Sequence, residues 1–210
     1  ELRDVSILVA AARHRPELLQ ADRDALYERV ETYLESDESG RTHGVDFSGW
    51  EGTFPQRLRQ WRRELTWADL VALNLAVDAL RVEPVRDHLF DYADRDLKDT
   101  STEFGGVIRL DDRGRYEVVE FQPRVKGNDE RFVAPQAMLD AAYTSLFQFH
   151  FHATSYENAR YAGPAQGDMQ YAEAVRANAL TFTFIDRNRM NVDFYRHSGV
   201  SVDLGEIRRP

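Results

Sequence analysis

The chain has 210 residues, enough for one large domain or a domain with a substantial appendage, and it carries a formal net charge of −9. That acidic balance argues against a general phosphate-binding surface and leaves room only for a local basic patch. The absence of cysteine excludes disulfides and thiolate-held metals without deciding the compartment. Hydrophobic residues make up 42% and charged residues 30%, so a packed core is expected rather than wholesale disorder. No apolar run approaches the roughly 18–20 residues of a membrane span, so no membrane partner is expected. The sequence begins at Glu1 without Met. A cytoplasmic location is the expectation, with a trimmed leader and export left open.

Residues 1–97 read as helical. Val5, Ile7, Leu8, Val9 and Ala12 begin an apolar stripe, Pro16 suits a helix start, and Leu18, Leu19, Leu26, Val30 and Leu34 continue at helical spacing. Ser36 to Gly49 is polar and contains glycine, so it reads as a loop holding His43. Phe54, Leu58 and Trp61 suit a further amphipathic helix. Thr66 is placed as the N-cap of the next, which carries Trp67, Leu70, Val71, Leu73, Leu75, Val77 and Leu80. Pro84 opens another, through His88, Leu89 and Tyr92 to Leu97. This stretch is expected to be an accessory region that packs on the rest or shapes access to it.

The texture changes near Asp99. Glu103 to Leu110 reads as a strand, Asp111 to Gly114 as a turn, and Tyr116 to Phe121 as the returning strand, ended by Pro123. A loop at Lys126 to Asp129 precedes a helix from Pro135 with Met138, Leu139, Ala142, Tyr143 and Leu146 on its apolar side. A strand at 147–152, a helix after Asp168, and strands at 181–185, 191–196 and 200–204 complete the order. Strand, strand, helix, strand, helix and three strands predict an α/β (α+β) domain over 98–210, a mixed sheet flanked by helices.

The chemistry concentrates in 147–168. Phe147, Phe149 and Phe151 alternate with Gln148, His150 and His152. Successive strand residues point to opposite faces, so three rings share one side and both imidazoles the other. Two imidazoles on one face can share a metal ion, and Asp168 follows after a Gly-Pro turn. Two His and one Asp leave a fourth position open, the pattern of a catalytic zinc. Water at such a metal needs a proton acceptor, and Glu103, before the close-approach pair Gly105-Gly106, is the candidate. Glu117, Glu120 and Glu157 read as solvated carboxylates.

Glu103, His150-Phe151-His152 and Ala165-Gln166-Gly167-Asp168 resemble the signature of JAMM/MPN (JAB-type) metalloproteases: a Glu opening a glycine-containing strand, then His-x-His, then Ser-x-x-Asp. The resemblance covers about residues 98–210. It implies zinc held by His150, His152 and Asp168, and Glu103 as general base and then acid. It further implies hydrolysis of a peptide or isopeptide bond in a protein or peptide substrate, including one to a ubiquitin-like protein. The sequence departs from the signature at Ala153, where the family has Pro, and in a longer spacing from His152 to Asp168, so that Ser155 to Tyr161 reads as an inserted loop. It departs again at Ala165, which stands at the family's oxyanion-binding Ser and has no side-chain donor. Losing one such donor typically costs ~10²–10³ in rate. Ser155, Asn158 and Tyr161 are the candidate substitutes.

Two alternatives stay open: a non-catalytic JAMM-like scaffold or binding module, and a zinc hydrolase acting on a non-peptide substrate. His14, His43, His88 and His197 lack partners at ligand spacing and read as structural or surface residues. Tyr156, Tyr161 and Tyr171 read as packing. Arg187, Arg189, Arg196, Arg208 and Arg209 read as a solvated face, so no nucleic-acid partner is expected. Oligomeric state is not specified by any of these features.

Overall fold

The alternation over 147–152 forms the strand it predicts, and the fold is built around it. In the computed structural model, residues 2–40, 48–49, 52–53, 56–123 and 132–210 are described. A six-stranded sheet has the order β4-β3-β5-β6-β7-β8. Its members are β3 Gly105–Leu110, β4 Tyr116–Phe121, β5 Phe147–His152, β6 Ala179–Asp186, β7 Arg189–Tyr195 and β8 Ser201–Arg208. Only β5 and β6 run parallel; the other neighbours are antiparallel. A two-stranded ribbon pairs β1 Ser48–Gly49 with β2 Gly52–Thr53. The fold is mixed α and β, as expected.

Helices α1 Leu2–His14, α2 Pro16–Gln20, α3 Arg23–Glu35, α4 Trp67–Arg81 and α5 Glu83–Lys98 precede the sheet. α4 is buried nearly throughout, and its start is set by Thr66, whose hydroxyl accepts from the Asp69 N–H while Asp69 accepts from the Thr66 N–H. Phe147, Phe149 and Phe151 join Phe182, Phe184, Val192 and Phe194 in one apolar core with Leu26, Leu73, Phe90 and Tyr92 of the helices. The stretches 1–97 and 98–210 therefore share a core. The opposite sheet face carries α6 Gln136–Ala142 and α7 Gln166–Val175, with Met138 and Val107 in one small cluster and Ala172, Ala179 and Tyr195 in another.

Several element boundaries differ from the expectations. The stripe from Leu18 to Leu34 spans two helices, because extended Ala21 breaks the backbone and Asp22 caps α3 through the Ala25 N–H. Leu58–Trp61 is a single 3-10 turn, since extended Thr66 restarts the chain as the cap of α4. The 36–49 stretch contains a 3-10 turn at Asp37–Ser39 and the strand β1. Leu146 lies beyond the end of α6. Glu103 lies two residues before β3 rather than on it. His43, Phe54 and the loop at Lys126 to Asp129 lie outside the described residues.

Gly105 has a steric reason. A Cβ there would come 2.5 Å from the Phe149 carbonyl oxygen and 2.7 Å from the Phe132 ring. Neither a β-sheet carbonyl nor a packed ring can yield cheaply. Gly105→Ala is expected to cost about 1–3 kcal/mol, the usual range for overpacking, read as a lower denaturant midpoint with unchanged slope.

Candidate metal centre

β5 presents His150 and His152 on the face away from the phenylalanine core, as alternation requires. α7 presents Asp168 at its third residue, where a carboxylate is favoured by the helix dipole and accepts from the Ala165 N–H at 2.7 Å. The chain leaves β5 at its carboxyl end, crosses through α7 and returns as the parallel β6, so the three side chains meet at a sheet position suited to ligands. His150 Nε2 lies 3.2 Å from Asp168 Oδ1, and His152 Nε2 lies 3.5 Å from Asp168 Oδ2. The two Nε2 atoms are 3.3 Å apart. Among the described residues this is the one group of three His, Asp or Glu side chains whose ligand atoms all fall within 4.8 Å of one another. The group can hold a metal ion.

The surrounding contacts orient the ligand atoms. The Nδ1 of His152 faces the Tyr161 carbonyl at 2.9 Å, so an Nδ1–H donated there turns the Nε2 lone pair inward. The hydroxyl of buried Tyr195 faces His150 Nδ1 at 3.5 Å, and the Phe132 ring stacks on His150 at 6.0 Å between centroids. Burial opposes the charged form of His152, but the hydrogen bond and charge of Asp168, with Glu103 and the Tyr161 carbonyl, raise its pKa to about 9. Burial likewise opposes ionisation of Asp168, yet the two imidazoles hold its carboxyl well below the usual carboxylate range.

Glu103 reaches the same place by strand register. Gly105 pairs with His150, and the Phe151 N–H donates to the Phe104 carbonyl at 3.2 Å. Continuing that antiparallel register sets Glu103 abreast of His152, on the imidazole face. Its carboxylate feels both imidazoles and Asp168 and meets the Phe132 backbone N–H. Burial pushes its pKa up, Asp168 adds to the rise, and the imidazoles and the Phe132 N–H oppose it. The imidazole face of the sheet thus brings together four of the residues singled out from sequence: Glu103, His150, His152 and Asp168.

Ala165 stands at the N-cap of α7 and offers no side-chain donor. Of the three candidate substitutes, Asn158 is buried and its amide donates to the His152 carbonyl at 3.0 Å, which braces the loop instead. Ser155 is exposed, and its hydroxyl accepts from the Glu157 N–H. Tyr161 is 40% exposed with Arg160 over its ring, and its carbonyl, rather than its hydroxyl, serves His152.

Several of the other ionisable residues singled out from sequence are engaged elsewhere. Glu117 pairs with Arg109, and Glu120 pairs with His88 and Arg95 on α5. Arg189 pairs with Asp186 and Glu206, Arg196 with the buried Asp69, and Arg209 with Asp94. His197 is buried, and the His14 ring lies against the turn at Gly114. The Tyr171 hydroxyl donates to Gln148, which shares the imidazole face. Phe132 and Tyr195 are the site neighbours that sequence reasoning missed. Parity along β7 places Tyr195 with Asn191 and Asp193 opposite the core-facing Phe194, a signal that was available; Phe132 follows a sequence poor in apolar residues and carried none. No helix among the described residues is long and apolar enough to cross a membrane. No family model, no curated protein and no solved structure matches the chain.

Proposed function

We propose that the protein is a zinc-dependent hydrolase of JAMM/MPN type that cleaves a peptide or isopeptide bond. The observation that carries the reading is the convergence of both imidazole Nε2 atoms, 3.3 Å apart, on the Asp168 carboxylate, with Oδ1 3.2 Å from His150 Nε2 and Oδ2 3.5 Å from His152 Nε2. A tetrahedral zinc with bonds of ~2.0–2.1 Å sets neighbouring ligand atoms roughly 3.3–3.4 Å apart, a spacing the two imidazole nitrogens already have, with one carboxylate oxygen close to each. Two imidazoles and one carboxylate leave one position for solvent or substrate. Bound zinc supplies a Lewis acid that polarises a carbonyl and acidifies water.

The chain's own groups supply the rest. Glu103, desolvated and beside both imidazoles, accepts a proton from the attacking water and returns it to the departing amine. Tyr161 and Tyr195 keep the two imidazoles oriented. The aromatic stack of Phe132 on His150 limits water on that side. A substrate of ubiquitin-like origin and a cytoplasmic location belong to the same proposal.

A second reading, a JAMM-like scaffold that binds zinc without turnover, draws on Ala165 and on the commitment of the Asn158 amide to the His152 carbonyl. A metal assay separates the first layer. Protein purified without chelators is expected to carry close to one zinc per chain by elemental analysis, and His150→Ala to lose it. A wild-type protein that neither carries nor takes up zinc ends both readings. A cleavage assay on peptide and isopeptide substrates then separates hydrolase from scaffold, and activity on other hydrolysable bonds alone would point to a non-peptide substrate.

A further inference from the structure

Two buried polar side chains of α5 grip the backbone that follows Glu103. The Tyr92 hydroxyl donates to the Gly105 carbonyl at 3.1 Å and reaches the Phe121 carbonyl at 3.3 Å. The Asp96 carboxylate accepts from the Phe104 N–H at 3.0 Å. Tyr92 is 0% exposed and Asp96 is 4% exposed, at an interface otherwise lined by Phe104, Phe149 and Phe151. Burying a hydroxyl and a carboxylate against aromatic rings is costly unless each is bonded, and an apolar pair would fill the same space without that cost. Packing alone therefore leaves these two residues unexplained.

Their partners supply the explanation. Phe104 and Gly105 are the residues between Glu103 and the body of β3, and Gly105 is the register partner of His150. From the other side, the Phe151 N–H holds the Phe104 carbonyl. Residues 104–105 are thus tied to α5 and to the histidine strand at once. α5 is itself locked, because Arg95 lies over the Tyr92 ring and pairs with Glu120, which also meets His88.

We propose that Tyr92 and Asp96 are positioning residues that hold Glu103 at the metal-binding side chains, so that the helical first half sets the general base. The inference rests on the reading of Glu103 as proton acceptor. The zinc ligands sit on β5 and α7, outside the grip. Loss of the grip should therefore move the base and leave the metal in place. Misplacement of a reacting group by about 1 Å can cost ~10²-fold.

The test compares Tyr92→Phe, Asp96→Ala and Asp96→Asn, each alone and combined with Glu103→Gln, in the full zinc-loaded chain. Turnover of a peptide or isopeptide substrate that the wild type cleaves is expected to fall roughly 10- to 100-fold in Y92F and D96A, with KM and zinc affinity within about twofold of wild type. Asp96→Asn, which keeps an acceptor oxygen, recovers most of the rate. In the Glu103→Gln background the same changes cost nothing further, because the group they position is gone. In zinc-free protein, amide exchange at Phe104 rises in D96A and stays slow in D96N. Equal fractional losses in both backgrounds, or zinc affinity falling with turnover, would show general destabilisation and overturn the proposal. So would unchanged turnover in Y92F and D96A. A zinc-loaded wild type without any turnover removes the hydrolase reading and this proposal with it, whereas an active wild type indifferent to both changes removes this proposal alone.

Discussion

Glu103→Gln is expected to lower turnover by roughly 10²–10⁴-fold, the span of a lost general acid–base group, while zinc stays bound at one ion per chain. Gln has the shape of Glu and keeps an oxygen that can accept from the Phe132 backbone N–H. It cannot take a proton from water. The ligands His150, His152 and Asp168 are untouched, so metal content and KM should hold. Stability should hold or rise. Burial raises the Glu103 pKa, which means that its ionised form is disfavoured in the fold, and a neutral amide relieves that cost. A residue whose removal lowers activity and does not lower the melting temperature is a functional group rather than a structural one. If E103Q and wild type cleave equally, Glu103 is not the base; if neither cleaves, the scaffold reading is the one that survives.

What could be read from sequence was local. Alternation sorted Phe147, Phe149 and Phe151 from His150 and His152, because a strand's period of two is written in adjacent residues. Thr66 announced α4 because a cap and its helix are neighbours. The four site residues were legible for local reasons too: His150 and His152 share one strand face, Glu103 precedes Gly105-Gly106, Asp168 follows a Gly-Pro turn, and their types form a known donor set. The contacts that tie them together were not legible. Tyr92 and Asp96 lie in an amphipathic helix and look like any other half-polar positions; only the packing of α5 on the sheet shows that they face residues 104–105. Asn158 suggested an oxyanion donor until its amide was seen to bind the His152 carbonyl. Arg196 resembled part of a basic face, yet it is 6% exposed and paired with Asp69, more than a hundred residues away in the chain. Pairings across such distances depend on topology, which no local pattern encodes.

Zinc uptake and the stability of the zinc-free protein should respond to pH in opposite directions. In the zinc-free protein His152 titrates at about 9 against an ordinary 6.5, because Asp168 beside it outweighs the effect of burial. A raised folded pKa contributes stability that is fully present below pH 6.5 and is lost as pH rises through 9. That contribution is on the order of a few kcal/mol at most and belongs to the His152–Asp168 pair as one unit. Chemical denaturation of chelator-treated protein should therefore show a midpoint that falls between pH 6.5 and 9. A metal ligand must be a neutral imidazole, so the ion competes with the His152 proton. Below pH 9 each ion bound displaces that proton, and apparent zinc affinity should rise up to about tenfold per pH unit before levelling. The gap in stability between zinc-loaded and zinc-free protein then widens with pH. His152→Gln should abolish both trends, since the Nε2 that titrates is also the ligand atom. Zinc affinity that is flat from pH 6.5 to 9 would place the ion elsewhere. A zinc-free midpoint that rises over the same interval would mean that the imidazolium–carboxylate pair does not stabilise the fold.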